Sequence, residues 1–350
     1  MLDPRLLLIF LFGLIGGGIA YVIGAPMPFM LGGIVGAASF VLWYERGDER
    51  LPKMSKWIRL FFMAIIGTMI GSGFTPELLP LLPLFWVSAL ALIPYIVIAH
   101  LGNFTIMRRV GGYAKLDAYY AALPGGIVDS AALAEEAGAD LRVVTSQHFI
   151  RIILVVTSIP LLFLLFDGNA VGSLAGESLS AEAYALKDIG LILGIALVGL
   201  VVGRQTPLPI SHMLVPLIIA IGLSVTGVIS IDIPSWMGHL AQYMIGTSLG
   251  AQFSGVSRAL LVRGLRMGVL SWAYMLMLAA GFAYLVTPYV PVEFRAMFIS
   301  FTSGGMAEMS LIALSLNISP VVVALHHLIR ISITVWIGIF SRSVYKLDQP

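Results

Sequence analysis

The sequence contains no cysteine and little charge. Without cysteine, disulfide bonds and thiolate metal sites are excluded. Charged residues make up 11% of the 350 residues, whereas a soluble domain carries about 25%. Hydrophobic residues make up 59%, and the longest polar stretch, 167–188, is too short for a separate soluble domain. We therefore predict a polytopic membrane protein.

Signatures of enzymes and nucleic-acid-binding proteins are also missing. The sequence has no HExxH motif, no carboxylate cluster with metal-ligand spacing and no recognisable nucleophile–base pair. The polar run 45–56 carries charges of both signs, which argues against direct nucleic-acid binding. We expect a protein that is not an enzyme, has no cofactor and binds no nucleic acid directly.

Apolar runs occur along the whole chain. Each is about long enough to cross a hydrocarbon core of ~30 Å, although 28–44 and 236–252 are short. The first run ends in GAPMPF, and we expect it to be a span rather than a cleaved signal. The ten predicted spans are 5–23, 28–44, 57–74, 82–106, 142–166, 188–203, 208–228, 236–252, 267–287 and 320–341.

The sequence contains two copies of one pattern, related by an offset of 179 residues from Gly125 to Gly304. Each copy has a Gly-Gly pair, a carboxylate three residues later, and a His and an Arg at i, i+3 on one helix face. Repeats in a hydrophobic chain are a signature of transporter folds, and a purely structural duplication is the alternative. The matched residues are Gly125, Gly126, Asp129, His148 and Arg151 in one copy and Gly304, Gly305, Glu308, His327 and Arg330 in the other.

Each Gly-Gly segment either crosses the membrane or dips into it and returns. If the segments return, most of the 20 Lys and Arg residues lie at one face, and only Lys187 and Arg295 lie at the other. If the segments cross, the arginines at 258–266 lie outside, on the face that the positive-inside rule leaves poor in Lys and Arg. We therefore predict an all-α protein with ten transmembrane helices, two re-entrant or broken helices and both termini cytoplasmic. The predicted parts are a first inverted repeat at 1–166, a linker at 167–187 and a second inverted repeat at 188–350.

The Gly-Gly pairs are suited to a helix break at membrane depth, because glycine adopts conformations that other residues avoid. Non-helical backbone survives at that depth only when it is buried in protein or lines a wet cavity. The amides of the half-helix after the break can hold an anion or an anionic side chain. Ser303, before the second pair, fits such a site. The alternative is a glycine pair that serves close helix packing.

Asp129 and Glu308 are carboxylates in apolar surroundings, where ionisable residues are costly and usually functional or paired. Together they can bind Na⁺ or exchange a proton. The alternative is that each carboxylate forms an ion pair with Arg151 or Arg330 and so holds the two helix bundles in register.

Arg151 and Arg330 are the only basic residues that we place well inside spans. Each needs a carboxylate, a carbonyl cap or an anionic substrate. His148 and His327 lie one turn away and can relay protons, with packing as the alternative. Two threonines in matching IGT motifs can add hydroxyls to the cavity, with bonding to their own helix as the alternative. These are Thr68 and Thr247.

The motifs PGGIVDSAALAEEAGADLRVV with QHFIRI, and SGGMAEMSLIALSLNISPVVV with HHLIRI, resemble the AbrB-duplication family of bacterial membrane proteins. The resemblance covers essentially the whole chain. The family pattern is Pro-Gly-Gly followed by an acidic residue, and this sequence has Ser303 in place of the second Pro and Asp129-Ser130 where Glu-Met is common. The resemblance implies a location in the bacterial inner membrane.

Members of that family carry labels as transcriptional regulators or ammonia monooxygenases, and the residues support neither as direct chemistry. The inverted halves also resemble cation/proton antiporters and bile-acid-type symporters, which is an analogy at the level of the fold. We predict a secondary active transporter of a small anionic organic solute, coupled to H⁺ or Na⁺ through the two carboxylates. The alternative is a membrane-embedded regulator that affects gene expression through a partner protein at 45–56 or 252–266. The other expected partners are the lipid bilayer, a small molecule or ion, and a second copy in a homodimer, which Gly-rich spans allow.

Overall fold

The computed structural model describes residues 3–46, 50–52, 55–74, 76–167, 180–181, 185–206, 211–227, 231–255 and 258–344. Within these ranges the chain is helical apart from loops and a two-residue parallel pairing of β1 (Ser180–Ala181) with β2 (Ile233–Pro234). The helices of the described ranges are α1 Pro4–Val22, α2 Pro28–Tyr44, α3 Lys56–Ser72, α4 Trp86–Thr105, α5 Lys115–Ala121, α6 Ile127–Glu136, α7 Leu141–Asp167, α8 Leu186–Gln205, α9 Ser211–Val225, α10 Ser235–Ala251, α11 Arg258–Val286, α12 Phe294–Phe301, α13 Met306–Ser315 and α14 Pro320–Val344.

Six of these helices, α1, α4, α7, α8, α11 and α14, are long and apolar enough to cross a membrane. The helices α2, α3, α9 and α10 have 15 to 17 residues, which is about 23 to 26 Å at ~1.5 Å per residue. Each of the ten predicted spans coincides with one of these ten helices. The prediction of an all-α polytopic membrane protein is confirmed.

The chain divides into two compact units, and neither unit coincides with one sequence copy. Each unit takes part of both copies, and the predicted repeat boundaries stay a prediction. The predicted linker 167–187 lies largely outside the described residues. The first unit is Met1–Leu79, Val156–Val256 and Ser310–Val321, and the second unit is Pro80–Val155, Ser257–Met309 and Val322–Pro350.

Helices of the first unit approach each other closely at glycines. Gly246 of α10 lies against the Met30 carbonyl of α2, and its counterpart Gly67 of α3 lies against the Met213 carbonyl of α9. A Cβ atom at either glycine would collide with that carbonyl. Small residues allow such close contacts between membrane helices. One apolar cluster of this unit comprises Ala64, Ile65, Met69, Ile192, Ala196, Ile233, Met237 and Leu314.

Glu45 joins the loops that follow α2 and α10 in the first unit. Its carboxylate accepts hydrogen bonds from the Ser254 hydroxyl (2.5 Å) and from the N–H groups of Gly255 (2.7 Å) and Leu51 (3.0 Å). Arg50 is an ion-pair partner at 3.2 Å. Burial raises the pKa of Glu45, but these hydrogen bonds together outweigh burial and hold the pKa below its ordinary value.

In the second unit, α4 packs antiparallel against α11, its counterpart in the other copy. The Ser271 hydroxyl donates to Asn103 Oδ1 (2.8 Å), and the Tyr274 hydroxyl donates to the Ile98 carbonyl (2.7 Å). Residue numbers therefore rise along one helix as they fall along the other. Because α4 and α11 are matched elements, their opposite directions are those of inverted repeats.

The first Gly-Gly segment dips into the membrane region and returns. The helices α5 and α6 are separated by a break at 122–126. The Asp140 N–H, at the end of the turn after α6, donates to the Asp117 carboxylate near the start of α5 (2.8 Å). Both ends of the segment thus lie at the same face, called the first face below. We name residues 115–136 the first hairpin.

The second Gly-Gly segment, residues 294–315 with a break at 302–305, is named the second hairpin. It ends in the same kind of turn as the first hairpin, since Asn317 (φ 55°) occupies the left-handed position that Gly138 (φ 79°) occupies there. At its other end, α12 folds back along α11, because Phe301 contacts Phe282 with ring centroids 5.8 Å apart.

The second hairpin opens at the face opposite the first. Helix α14 passes the first break at Thr334, which lies against Gly125, and then passes Leu133 at Gly338. Leu133 lies on the part of α6 that returns to the first face. Helix α14 therefore ends at the first face and begins at the opposite one, where α13 joins it.

Candidate functional site

An arginine in the middle of α7 caps the first break. Arg151 is 3% exposed and donates to the carbonyls of Leu123 (2.8 Å) and Gly125 (3.0 Å). The carbonyls at the end of a helix such as α5 have no partner within the helix. The guanidinium satisfies two carbonyls of the break and places a positive charge at the negative end of the half-helix dipole.

Arg330 makes the same pair of contacts in the second hairpin. It is 1% exposed and donates to the carbonyls of Thr302 (2.6 Å) and Gly304 (2.9 Å). In both copies these carbonyls lie 28 and 26 residues before the arginine. Of the three partners that the sequence allowed, the carbonyl cap is the one that the structure records for both arginines.

The two predicted carboxylates lie in the first turn of α6 and α13, at the amide end of each break. A Cβ atom at Gly126 would lie 2.8 Å from an Asp129 carboxylate oxygen, and one at Gly305 would collide with the Glu308 carboxylate. Asp129 is half-buried, whereas Glu308 is 2% exposed. A carboxylate in this position offsets the positive end of the helix dipole. Each break therefore has an arginine at its carbonyl end and a carboxylate at its amide end.

The first glycine of each pair lets its break pack against the long helix of the other copy. A Cβ atom at Gly125 would lie 2.8 Å from Thr334 of α14, and one at Gly304 would lie 3.1 Å from Val155 of α7. Thr334 and Val155 are matched residues, four positions after the arginine of each copy. Each break thus packs against the long helix of the other copy.

The two predicted histidines differ in their contacts. His148 Nε2 donates to the Tyr120 carbonyl (3.0 Å), and His148 Nδ1 accepts from Arg151 (2.9 Å). These contacts require the neutral ring in one tautomer and suit the positioning of Arg151. His327 instead donates from Nδ1 to the Val323 carbonyl of its own helix (2.9 Å).

Ser303 occupies the place of Pro124 and contacts Tyr95, a residue that the sequence analysis missed. The two hydroxyl oxygens are 3.1 Å apart, and Tyr95 is fully buried. A tyrosine inside the apolar run 82–106 was the signal for it.

The two predicted threonines belong to the first unit, whereas all other predicted site residues belong to the second. Thr68 donates to the Ala64 carbonyl one turn earlier (3.0 Å), which is the alternative role given above. The Thr247 hydroxyl has no hydrogen-bond partner among the described residues and lies against Gly13. Among the described residues, no group of three or more His, Asp and Glu side chains could hold a metal ion.

The fold and the paired breaks define a polytopic membrane protein with inverted copies and two re-entrant hairpins. A family model described as "Transition state regulatory protein AbrB" matches residues 29–344. The chain belongs to this AbrB family, as the resemblance in its motifs indicated.

Two relatives share most of their length with this chain. The chain is 25% identical over 296 residues to an Escherichia coli (strain K12) protein named "Putative regulator AbrB", covering 83% of this chain and 82% of that protein. It is 25% identical over 349 residues to the Bacillus subtilis (strain 168) protein named "Uncharacterized protein YhjN", covering 91% and 88%.

Proposed function

We propose that this protein is a secondary active transporter of a small organic anion, coupled to H⁺ or Na⁺. The observation that supports this function is the pair of breaks in the second unit, each packed against the long helix of the other copy, with hairpins that open at opposite faces. A site built at such breaks can be reached from each face in turn, as alternating access requires.

The two arginines favour an anionic solute. Their recorded hydrogen bonds go to carbonyls and to His148, and the Nε atoms of Arg151 and Arg330 have no partner among the described residues. A buried donor without a partner costs about 1–3 kcal/mol. A carboxylate group of a solute would supply the missing acceptor and the opposite charge.

The two carboxylates are the proposed groups for the coupling ion. Asp129 and Glu308 lie beside non-helical backbone, where carbonyl and carboxylate oxygens are the ligands that Na⁺ needs and where one carboxylate can take up a proton. Because each carboxylate also offsets a half-helix dipole, binding a cation changes the charge balance of the break.

The first experiment is a thermal-stability screen of the purified protein across Na⁺ concentrations, pH values and short-chain mono-, di- and tricarboxylates. A ligand that binds only the folded state raises the apparent midpoint. Each hit is then tested for uptake into proteoliposomes under a proton or Na⁺ gradient. Uptake should be lost in Asp129→Asn and Glu308→Gln and retained in Glu135→Gln, an exposed carboxylate on α6. Unchanged uptake in both site variants would remove the proposed role of the carboxylates.

A location in the bacterial inner membrane with both termini in the cytoplasm is part of this proposal. The clustering of Lys and Arg at one face supports it. A regulator acting through a partner protein is the second candidate, because the name of the family and that of the Escherichia coli relative both include regulation. That function predicts saturable ligand binding without uptake, together with a co-purifying partner at 45–56 or 252–266.

A further inference from the structure

Polar side chains without partners lie beside the first break, on α4. His100 and Asn103 are 3% and 0% exposed. Three of their atoms have no hydrogen-bond partner of regular geometry among the described residues: both ring nitrogens of His100, and Nδ2 of Asn103. The His100 ring does approach the backbone of Ala122 in the first break, but the contact is too poorly aligned for a regular hydrogen bond. The other Asn103 atom, Oδ1, accepts from Ser271 of α11.

Burying these polar atoms without any hydrogen-bond partner would lower the stability of the fold. A buried polar atom without a partner costs about 1–3 kcal/mol, and three such atoms lie within two turns of α4. Buried polar groups in folded proteins nearly always bond to protein or to ordered water. The Ala122 backbone is the one protein group recorded near these atoms, in a contact too poorly aligned for a regular hydrogen bond, so ordered water fits a site with several donors and acceptors.

The second copy shows that the scaffold does not need these polar groups. The matched places there are apolar, and Phe282 and Phe301 form an aromatic cluster with Tyr95 in which ring centroids lie 5.3 to 5.8 Å apart. The matched places in the second copy are therefore filled by apolar side chains. The matched pairs are His100 with Ala279, Asn103 with Phe282, Tyr119 with Phe298 and Ala122 with Phe301.

The polar groups continue from Asn103 towards the first face. Helix α4 runs in that direction, and Tyr113 packs with Met107 one turn beyond Asn103. The Tyr113 hydroxyl accepts a hydrogen bond from Gln147 Nε2 (2.9 Å), and Gln147 Oε1 has no partner among the described residues. Buried polar side chains therefore lie beside the first break and again closer to the first face.

We propose that His100 and Asn103 line a one-sided hydrated path that carries protons between the first face and the first break. The His100 imidazole takes a proton from water on the side of Asn103 and returns it to water at the break, so no other group changes its charge. The coupling role of this proton rests on the transport function proposed above, whereas the hydration of the path does not.

Several titratable groups surround His100, and we expect His100 to be the one among them that changes its charge. On α5, Tyr119 faces the ring edge-on with centroids 4.7 Å apart. On α7, His148 donates to the Tyr120 carbonyl and Arg151 donates to the Leu123 carbonyl, which lie before and after Ala122 in the chain. His148 has both ring nitrogens engaged.

The absence of native cysteine makes thiol labelling a direct test of hydration. Single cysteines are placed at His100 and Asn103 and at their matched positions, Ala279 and Phe282. A small charged methanethiosulfonate reagent is added from each side of oriented vesicles. A thiol in a dry apolar site stays protonated and inert. We therefore expect His100→Cys and Asn103→Cys to react at least about tenfold faster than Ala279→Cys and Phe282→Cys. The reagent should act from the first face only.

The first set of variants removes His100 or Asn103 itself. A second pair of variants therefore measures access to the path through a cysteine at another position. Ala122→Cys is a reporter at the inner end of the path, with His100 and Asn103 intact. Asn103→Phe, which copies the residue of the second copy, should slow labelling of this reporter at least about tenfold, because it closes the path with an apolar ring. Equal labelling of the path cysteines and their matched controls, or a reporter insensitive to Asn103→Phe, would overturn the proposal.

The proton step has its own measurement. The six histidines are labelled with ¹⁵N, and the ring signals are followed in nanodiscs by NMR. The signal that disappears in His100→Gln should begin to change from the neutral to the protonated form as the pH is lowered to about 4, at a higher pH than the His148 signal, because both ring nitrogens of His148 are engaged. A His100 ring that stays neutral throughout would refute its role as a proton carrier. If labelling and titration succeed but no solute is taken up, the path stands and the transport proposal fails.

Discussion

Replacement of Arg151 should be among the most destabilising single changes in the second unit. Arg151→Ala leaves the Leu123 and Gly125 carbonyls without their donor in a buried place. Each buried acceptor that loses its partner costs about 1–3 kcal/mol, so the loss is about 2–6 kcal/mol. For a fold of this size about 1 kcal/mol corresponds to ~2 °C, and the apparent unfolding midpoint should fall by at least about 4 °C.

The same helix provides a matched control. Arg142 has a side chain that is 87% exposed and an ion pair with Asp140 at 3.5 Å. Exposed ion pairs contribute about 0–1 kcal/mol, so Arg142→Ala should change the midpoint little. Arg151→Lys should recover only part of the loss, because an ammonium group cannot reproduce the fork that reaches two carbonyls. The midpoints are measured in detergent by intrinsic fluorescence. A midpoint for Arg151→Ala equal to that of Arg142→Ala would refute the capping role.

Three further changes test other parts of the structure. Gly126→Ala should displace the nearby carboxylate and weaken any proton or Na⁺ dependence of the midpoint, whereas Gly222→Ala, where an added Cβ meets open space, should not. Gly246→Val should lower the midpoint by separating α10 from α2, and Gly222→Val is its control, because the same side chain added at Gly222 meets open space. The lowered pKa of Glu45 means that its contribution to stability is present above the ordinary value of 4.5 and is lost as the pH falls through the folded-state pKa. Glu45→Gln should therefore lower the midpoint at neutral pH, and the difference from wild type should shrink below about pH 4.5; a difference that grows in acid would contradict this sign.

The sequence was sufficient for the helices and for the re-entrant character of the Gly-Gly segments. Long apolar runs define spans because a fixed membrane thickness requires a fixed number of residues. The distribution of Lys and Arg indicated that the segments return, and the hydrogen bond between Asp140 and Asp117 shows the first of them doing so. The two compact units could not be predicted, because a repeat pattern does not specify which helices of each copy pack together.

The partners of the arginines also lay beyond the sequence. A buried guanidinium is satisfied equally by a carboxylate, a carbonyl cap or a ligand, and only the positions of the break carbonyls decide among them. His100 and Asn103 were missed because they have no counterpart in the second copy. The repeat drew attention to residues that match, whereas these two differ from Ala279 and Phe282. Comparing the copies for polar residues present in only one of them would have found both.

The most direct test of this account is whether the two hairpins open at opposite faces of the membrane. Ala137 and Leu316 are matched residues in the turns after α6 and α13, both are partly exposed, and the chain has no other cysteine to interfere. An impermeant thiol reagent is applied to one side of oriented vesicles carrying either Ala137→Cys or Leu316→Cys. The account predicts that the two cysteines are labelled from opposite sides. Labelling of both from the same side would contradict the inverted arrangement and the alternating access built on it.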